Sequence, residues 1–211
     1  EAALDVFKRI PRTEWDKYQF NPFIERIGSC IECPLPDSSA YFNKPEIIQK
    51  IFELEYKAKS DFENGAVYYY QLGVAYYNMS YFGHSWNVTD YYRSGSNWAY
   101  DKDRIFPDYF YPFGNRENQD LTLAIEYFEK ARVTSKDYNL AARATFMAAR
   151  CELNQYFVSK ENNYNSYQNQ IPILPVEYQQ YYQLLKNDYS QSDFYQEIIQ
   201  ECKFFAAYAR R

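Results

Sequence analysis

Histidine, methionine and glycine are all scarce in this chain, which has 1 His, 2 Met and 6 Gly among its 211 residues. The single histidine, His84, excludes metal motifs and acid–base schemes that need two histidines. The few glycines form no Gly-rich phosphate-binding loop. No apolar run is long enough to span a membrane, and no signal peptide is recognisable within these residues. Lys and Arg form no long run, and the net charge of −5 argues against a nucleic-acid-binding surface.

Cysteine is also sparse, and only one pair is closely spaced. Cys30 and Cys33 form a CxxC, whereas the other two of the four cysteines stand alone. A structural zinc site takes four Cys or His ligands, commonly as two close pairs, so no zinc site is predicted. The CxxC is either a local disulfide or two free thiols. We predict no metal, no cofactor and no enzymatic activity for this chain.

Aromatic residues are abundant, with 25 Tyr and 16 Phe. Tyrosine combines a ring that packs with a hydroxyl that reaches water or a polar partner. Two interpretations follow. The tyrosines replace leucine in helix packing, or some of the rings form a binding surface.

Two stretches with helical spacing dominate the pattern. The stretch from Gly65 to Phe82 carries four spaced residues, Tyr69, Leu72, Gly73 and Tyr76. The stretch from Leu121 to Val133 carries three, Ala124, Phe128 and Ala131. These spacings resemble the first-helix and second-helix halves of a tetratricopeptide (TPR) repeat. The resemblance implies an all-α fold, an array of antiparallel helix pairs in which these seven residues pack the two helices together.

The repeat is interrupted. Tyr76 and Ala124 are 48 positions apart, whereas a repeat of about 34 residues would separate them by roughly nine. A second, weaker unit has the same order of positions and is interrupted at the same turn: Ala144, Met147, Ala148 and Cys151, then Tyr178, Tyr182 and Leu185. The two predicted insertions, at about 83–118 and 157–173, therefore lie along one edge of the array. Insertions on one edge often mark the binding face.

The chain is predicted to divide into two parts. Residues 1–44 form an irregular N-terminal arm with short helices, and residues 45–211 form a TPR-like helical domain. Phe20, Phe23 and Ile24 are expected to hold the arm in place. A helix is predicted to begin at Pro45, and Gly83 is predicted to stop the helix that ends at Phe82. Residues 193–209 have an apolar stripe typical of a C-terminal capping helix.

The TPR resemblance implies a non-catalytic interaction or scaffold module that binds a protein or peptide. The first residue is not Met, and we expect the chain to be part of a larger bacterial protein of the cell envelope, periplasmic or associated with the outer membrane. Residues 68–86 are also similar to helices of SusD-like glycan-binding lipoproteins, which implies the alternative of a glycan-binding module with exposed aromatic rings. The candidate binding rings lie in the first insertion: Trp86, Tyr91, Tyr92, Trp98, Tyr100 and Tyr109.

Overall fold

The computed structural model describes residues 2–26, 40–90, 118–159 and 171–211. Within these ranges the chain is all-α, and its only β-type pairing is an isolated antiparallel bridge between Phe20 and Phe42. The helices of the described ranges are α1 (Ala2–Phe7), α2 (Arg12–Trp15), α3 (Lys44–Ser60), α4 (Gly65–Met79), α5 (Thr122–Thr134), α6 (Tyr138–Val158), α7 (Gln180–Asp188), α8 (Asp193–Glu201) and α9 (Lys203–Ala209). Short 3-10 turns occupy Trp86–Val88 and Val176–Tyr178.

Helix α3 begins with a capping box. The Asn43 side chain accepts a hydrogen bond from the Glu46 amide, and the Glu46 carboxylate accepts one from the Asn43 amide, both at 3.0 Å. Pro45 stands in the first turn, where its missing N–H leaves no donor unsatisfied. The predicted helix start at Pro45 is thus confirmed to within one residue.

Helices α4 and α5 approach each other closely at Gly73. A Cβ atom on Gly73 would lie 2.6 Å from Cδ1 of Phe128, so this position needs a residue without a side chain. The Phe128 ring also contacts Tyr70, with ring centroids 5.7 Å apart. Tyr127 stacks on Tyr76 at 5.5 Å. Gly73, Tyr76 and Phe128 therefore lie in the contact between α4 and α5.

The predicted end of α4 is wrong by three residues, because the helix stops at Met79 and not at Phe82. Gly83 is not a helix cap. A Cβ atom there would lie 2.1 Å from Cα of Asn78, so the glycine lets the chain fold back against the last turn of α4. The Ser85 amide then donates to the Asn78 carbonyl at 2.9 Å.

The C-terminal capping segment is also interrupted. Instead of one helix over 193–209, α8 and α9 meet at Cys202, whose backbone is extended. Ser192 caps α8 by accepting a hydrogen bond from the Tyr195 amide, as its type and position indicate. Ile198 and Phe205 are both fully buried, one from each half. The break at Cys202 therefore allows both halves to cover the core.

The core contains two clusters of buried residues. The larger cluster runs from α4 to α9 and includes the small residues of the predicted second unit: Ala144, Met147, Ala148 and Cys151. The smaller cluster joins α3 to α4 and α5: Ile47, Ile51, Leu54, Leu72, Ala75, Met79 and Tyr127. Each helix from α3 to α6 packs against the next one along the chain, and α4 also contacts α6.

Among the helices that the structure describes, none is both long and apolar enough to cross a bilayer. The CxxC of Cys30 and Cys33 lies outside the described residues. The division of the chain at residues 44 and 45 stays a prediction.

Candidate functional site

The aromatic residues predicted to bind a partner are mostly outside the described ranges. Trp86 is described, and it is half-buried in a 3-10 turn that follows α4. The other five candidates, Tyr91, Tyr92, Trp98, Tyr100 and Tyr109, lie outside the described residues. The described residues contain a different candidate site, in another part of the molecule.

That site is the surface shared by α4 and α6, where residues 22–26 of the N-terminal arm cross both helices. We call residues 22–26 the crossing segment. The Asn78 side chain, on the last turn of α4, donates from Nδ2 to the carbonyls of Pro22 and Ile24, each at 2.8 Å. Both hydrogen bonds go to main-chain carbonyls, so they hold the backbone of the crossing segment and not a particular side chain.

His84 adds a third bond to the main chain of the crossing segment. Its Nε2 lies 3.1 Å from the Ile24 carbonyl, which only accepts, so Nε2 carries the proton. Nδ1 then accepts from the Ser85 hydroxyl at 3.1 Å. Burial lowers the pKa of His84 and keeps the ring neutral. Ser85 is buried and the second ring nitrogen is engaged, so this Ser–His contact is a structural one.

Arg150 recognises the end of the crossing segment from α6. Its Nη1 donates to the Arg26 carbonyl. The guanidinium lies over the ring of Tyr77 on α4, 5.1 Å from its centroid, and the Tyr77 hydroxyl accepts from Asn154 at 3.1 Å. Among the described residues no carboxylate pairs with Arg150. Arg150 is therefore held at this surface by main-chain and ring contacts.

Arg143, two turns earlier on α6, pairs with the only acidic side chain of the crossing segment. Its Nη1 lies 3.2 Å from Oε2 of Glu25, and its Nη2 lies 3.8 Å from Oε2 of Glu197 on α8. The guanidinium also covers the Phe194 ring at 5.0 Å. Glu25 is 15% exposed and Arg143 39%, so the pair is only partly screened by water.

Two buried polar atoms near this ion pair have no hydrogen-bond partner: Oε1 of Glu25 and the hydroxyl of Tyr70. Burial, and after it the nearby Glu25 carboxylate, raise the pKa of Tyr70 well above its ordinary value. An unsatisfied buried polar atom costs about 1–3 kcal/mol. The crossing segment is thus held by several hydrogen bonds but leaves polar atoms of the same surface unsatisfied.

An open cleft of about 460 Å³ continues from Arg143. Its apolar lining comes from Val67, Leu140 and Phe194. Its acidic lining comes from Asp137, Asp193 and Glu197. The cleft gives the α4/α6 surface room beyond the part that the crossing segment occupies.

Elsewhere in the chain, α6 carries a buried carboxyl group, that of Glu152. Burial raises the pKa of Glu152 to about 7, a value suited to general acid–base chemistry. Its Oε2 accepts from the Tyr181 amide at 3.0 Å, in the first turn of α7. Glu152 lines neither that cleft nor the second described cavity, of about 240 Å³, which lies beside Leu153. The carboxyl group therefore satisfies a helix N-terminus.

Within the part of the chain that the structure describes, no three His, Cys, Asp or Glu residues gather as metal ligands do. Comparisons with protein-family models, with curated proteins and with solved structures find no match.

The sequence patterns did not predict this site. The insertions were expected to carry it, because their position on one edge was the available signal. The polar residues of α4 and α6 that bind the crossing segment belong to none of the repeat motifs. The one signal in the sequence was the unusual presence of Asn78 and Arg150 among apolar helix positions.

Proposed function

We propose that this chain is a non-catalytic interaction module, built from TPR-like antiparallel helix pairs, that binds peptide segments of a protein partner on its α4/α6 surface. The observation that carries the proposal is the capture of the crossing segment through its main-chain carbonyls by Asn78, His84 and Arg150. A surface that binds the backbone of one segment has the donors needed for another.

Contacts between α4 and α5 support the antiparallel pairing. Near the end of α4, the Tyr81 amide donates to the Asn118 carbonyl at 2.7 Å, just before α5 begins. Nearer the start of α4, Tyr70 lies against Phe128 at the midpoint of α5. The contact between α4 and α6 supports stacking of the two first helices, as in a repeat array.

The chemistry of the surface favours a peptide over a glycan. Its donors point at carbonyl oxygens of the crossing segment. The described ring of the glycan alternative, Trp86, is half-buried, whereas a sugar platform needs an open ring face.

The experiment selects peptides from a displayed random library on the intact chain and applies the same preparation to a glycan array. Selected peptides are then tested by photocrosslinking with benzoylphenylalanine at position 67, beside the site on α4. The matched control carries the same group at position 133 on α5. Val67 and Val133 are both exposed, at 41% and 59%.

We expect peptides to be selected, to crosslink through position 67 and not through position 133, and the glycan array to stay at background. Crosslinking that is equal at both positions would contradict a binding surface on α4/α6. A glycan signal without any selected peptide would favour the SusD-like alternative instead.

A further inference from the structure

We infer that residues 24–26 of the crossing segment are a displaceable occupant of the α4/α6 surface, and that the partner is a peptide with one acidic residue, which replaces Glu25 opposite Arg143. The inference rests on the proposed function and deepens it, because it assigns a ligand chemistry and a regulatory contact to the same surface. Three observations carry it.

First, the arm is anchored before residue 24. The Phe20 and Phe42 backbones exchange hydrogen bonds at 2.9 and 2.8 Å, and Asn21 is buried and donates to the Ala40 carbonyl. Ile24 and Glu25, in contrast, are only half-buried. Residues 24–26 can therefore leave the surface while the preceding residues stay in place.

Second, the fit of the occupant is incomplete. Oε1 of Glu25 is buried without a hydrogen bond, and so is the Tyr70 hydroxyl. When residues 24–26 leave, the Glu25 carboxylate regains water on both oxygens. An incoming carboxylate that keeps the ion pair with Arg143 and also reaches the Tyr70 hydroxyl satisfies a hydroxyl that Glu25 leaves without a hydrogen bond.

Third, the charges of the surface select a single acidic residue. Arg143 is the cation that faces the Glu25 position, and Glu197 already shares it. Asp137 and Asp193 line the same cleft. A run of acidic residues would be repelled by these carboxylates, whereas one carboxylate beside Arg143 is attracted.

The test uses the full chain and two fluorescein-labelled peptides, with binding followed by fluorescence anisotropy. One peptide has the sequence of residues 20–26, FNPFIER, and the other is FNPFIQR, without the acidic group. The chain variants are Glu25→Lys, which sets a cation against Arg143, and the milder Glu25→Gln. Glu63→Lys is the matched control, because Glu63 is exposed on the turn between α3 and α4.

We expect FNPFIER to bind the Glu25→Lys variant about tenfold more tightly than the wild-type or Glu63→Lys chains, because an occupied site lowers the apparent affinity of a competitor. FNPFIQR should bind that variant roughly fivefold more weakly than FNPFIER, which corresponds to one partly screened ion pair. Arg143→Ala in the Glu25→Lys background should remove the difference between the two peptides.

Equal binding of FNPFIER to all folded variants would overturn the inference, as would equal binding of the two peptides. Loss of helical circular dichroism in both Glu25 variants would overturn it too, because residues 24–26 would then be a required part of the fold. If library peptides crosslink at position 67 while the Glu25 variants change nothing, the proposed function survives without this inference. If no peptide of either origin binds any variant, both fail.

Discussion

Helix α4 is covered on its α5 side and on its α6 side by different kinds of contact. On the α5 side, Gly73 lies directly under the Phe128 ring, so position 73 has no room for a side chain. On the α6 side, Asn78 and Arg150 hold the crossing segment by its carbonyl oxygens. The first contact depends on side-chain shape and the second on the backbone that every peptide has. The first therefore fixes how α4 and α5 pack, and the second is the contact that we propose a partner peptide takes over.

The largest effect is expected from emptying the α4/α5 contact. Phe128→Ala should lower the free energy of unfolding by about 3–5 kcal/mol, because the ring is fully buried and leaves a cavity. Urea unfolding followed by circular dichroism measures this. Leu123→Ala, at a 41% exposed position of α5, is the control and should change stability by less than about 0.5 kcal/mol. A loss below about 1 kcal/mol for Phe128→Ala would mean that this contact does not carry the core.

A pH effect should come from the α6/α7 side of the core, away from the crossing segment. The folded-state pKa of Glu152 is raised to about 7, above the value in the unfolded chain. The folded state therefore holds a proton that the unfolded state releases, and stability should fall by up to about 3 kcal/mol as pH rises from about 5 to 8. Glu152→Gln should remove this decrease. The free energy of unfolding is measured with urea at both pH values. If the Glu152→Gln chain lost as much stability between them as the wild-type chain, the assignment would be wrong.

Gly73→Ala should destabilise the chain by about 2 kcal/mol, through overpacking against Phe128. The sign is informative, since alanine in place of glycine inside a helix otherwise stabilises by up to about 1 kcal/mol. Thermal unfolding measures the change. The double variant with Phe128→Leu should be less destabilised than the sum of the two single variants, because the smaller side chain makes room for the methyl group. An additive double variant would argue against the direct contact.

The smallest effect is expected on the α6 side. Asn78→Ala should cost about 1 kcal/mol of global stability, because the freed carbonyls of Pro22 and Ile24 can be solvated. Hydrogen exchange should become faster at the amides of residues 23–26 and stay unchanged in α5. Asn87→Ala, at an exposed position of the 3-10 turn, is the control. If the exchange of α5 increased as well, the two sides of α4 would not be independent.

The helices of this chain were predictable because helix formation is mostly local. Apolar spacing located α3, α4, α5 and α6 to within a few residues, and the small residue at Gly73 indicated a close contact. Helix ends were less predictable. Glycine is a residue type that often ends a helix, yet the role of Gly83 is set by the Asn78 backbone that lies against it. No residue pattern around Cys202 predicted the break between α8 and α9. The break lets the two short helices cover the core in two different directions.

By itself, the sequence determined that the described part of the chain is helical and indicated that Gly73 lies in a close helix contact, because periodicity and residue size are properties of short segments. Only the tertiary structure decided that residues 22–26 lie on α4 and α6. The groups that hold this segment come from positions more than 50 residues away, and the carbonyls that they bind belong to the main chain. Main-chain recognition leaves no pattern of side chains, so the candidate site became visible only when the helices were packed together.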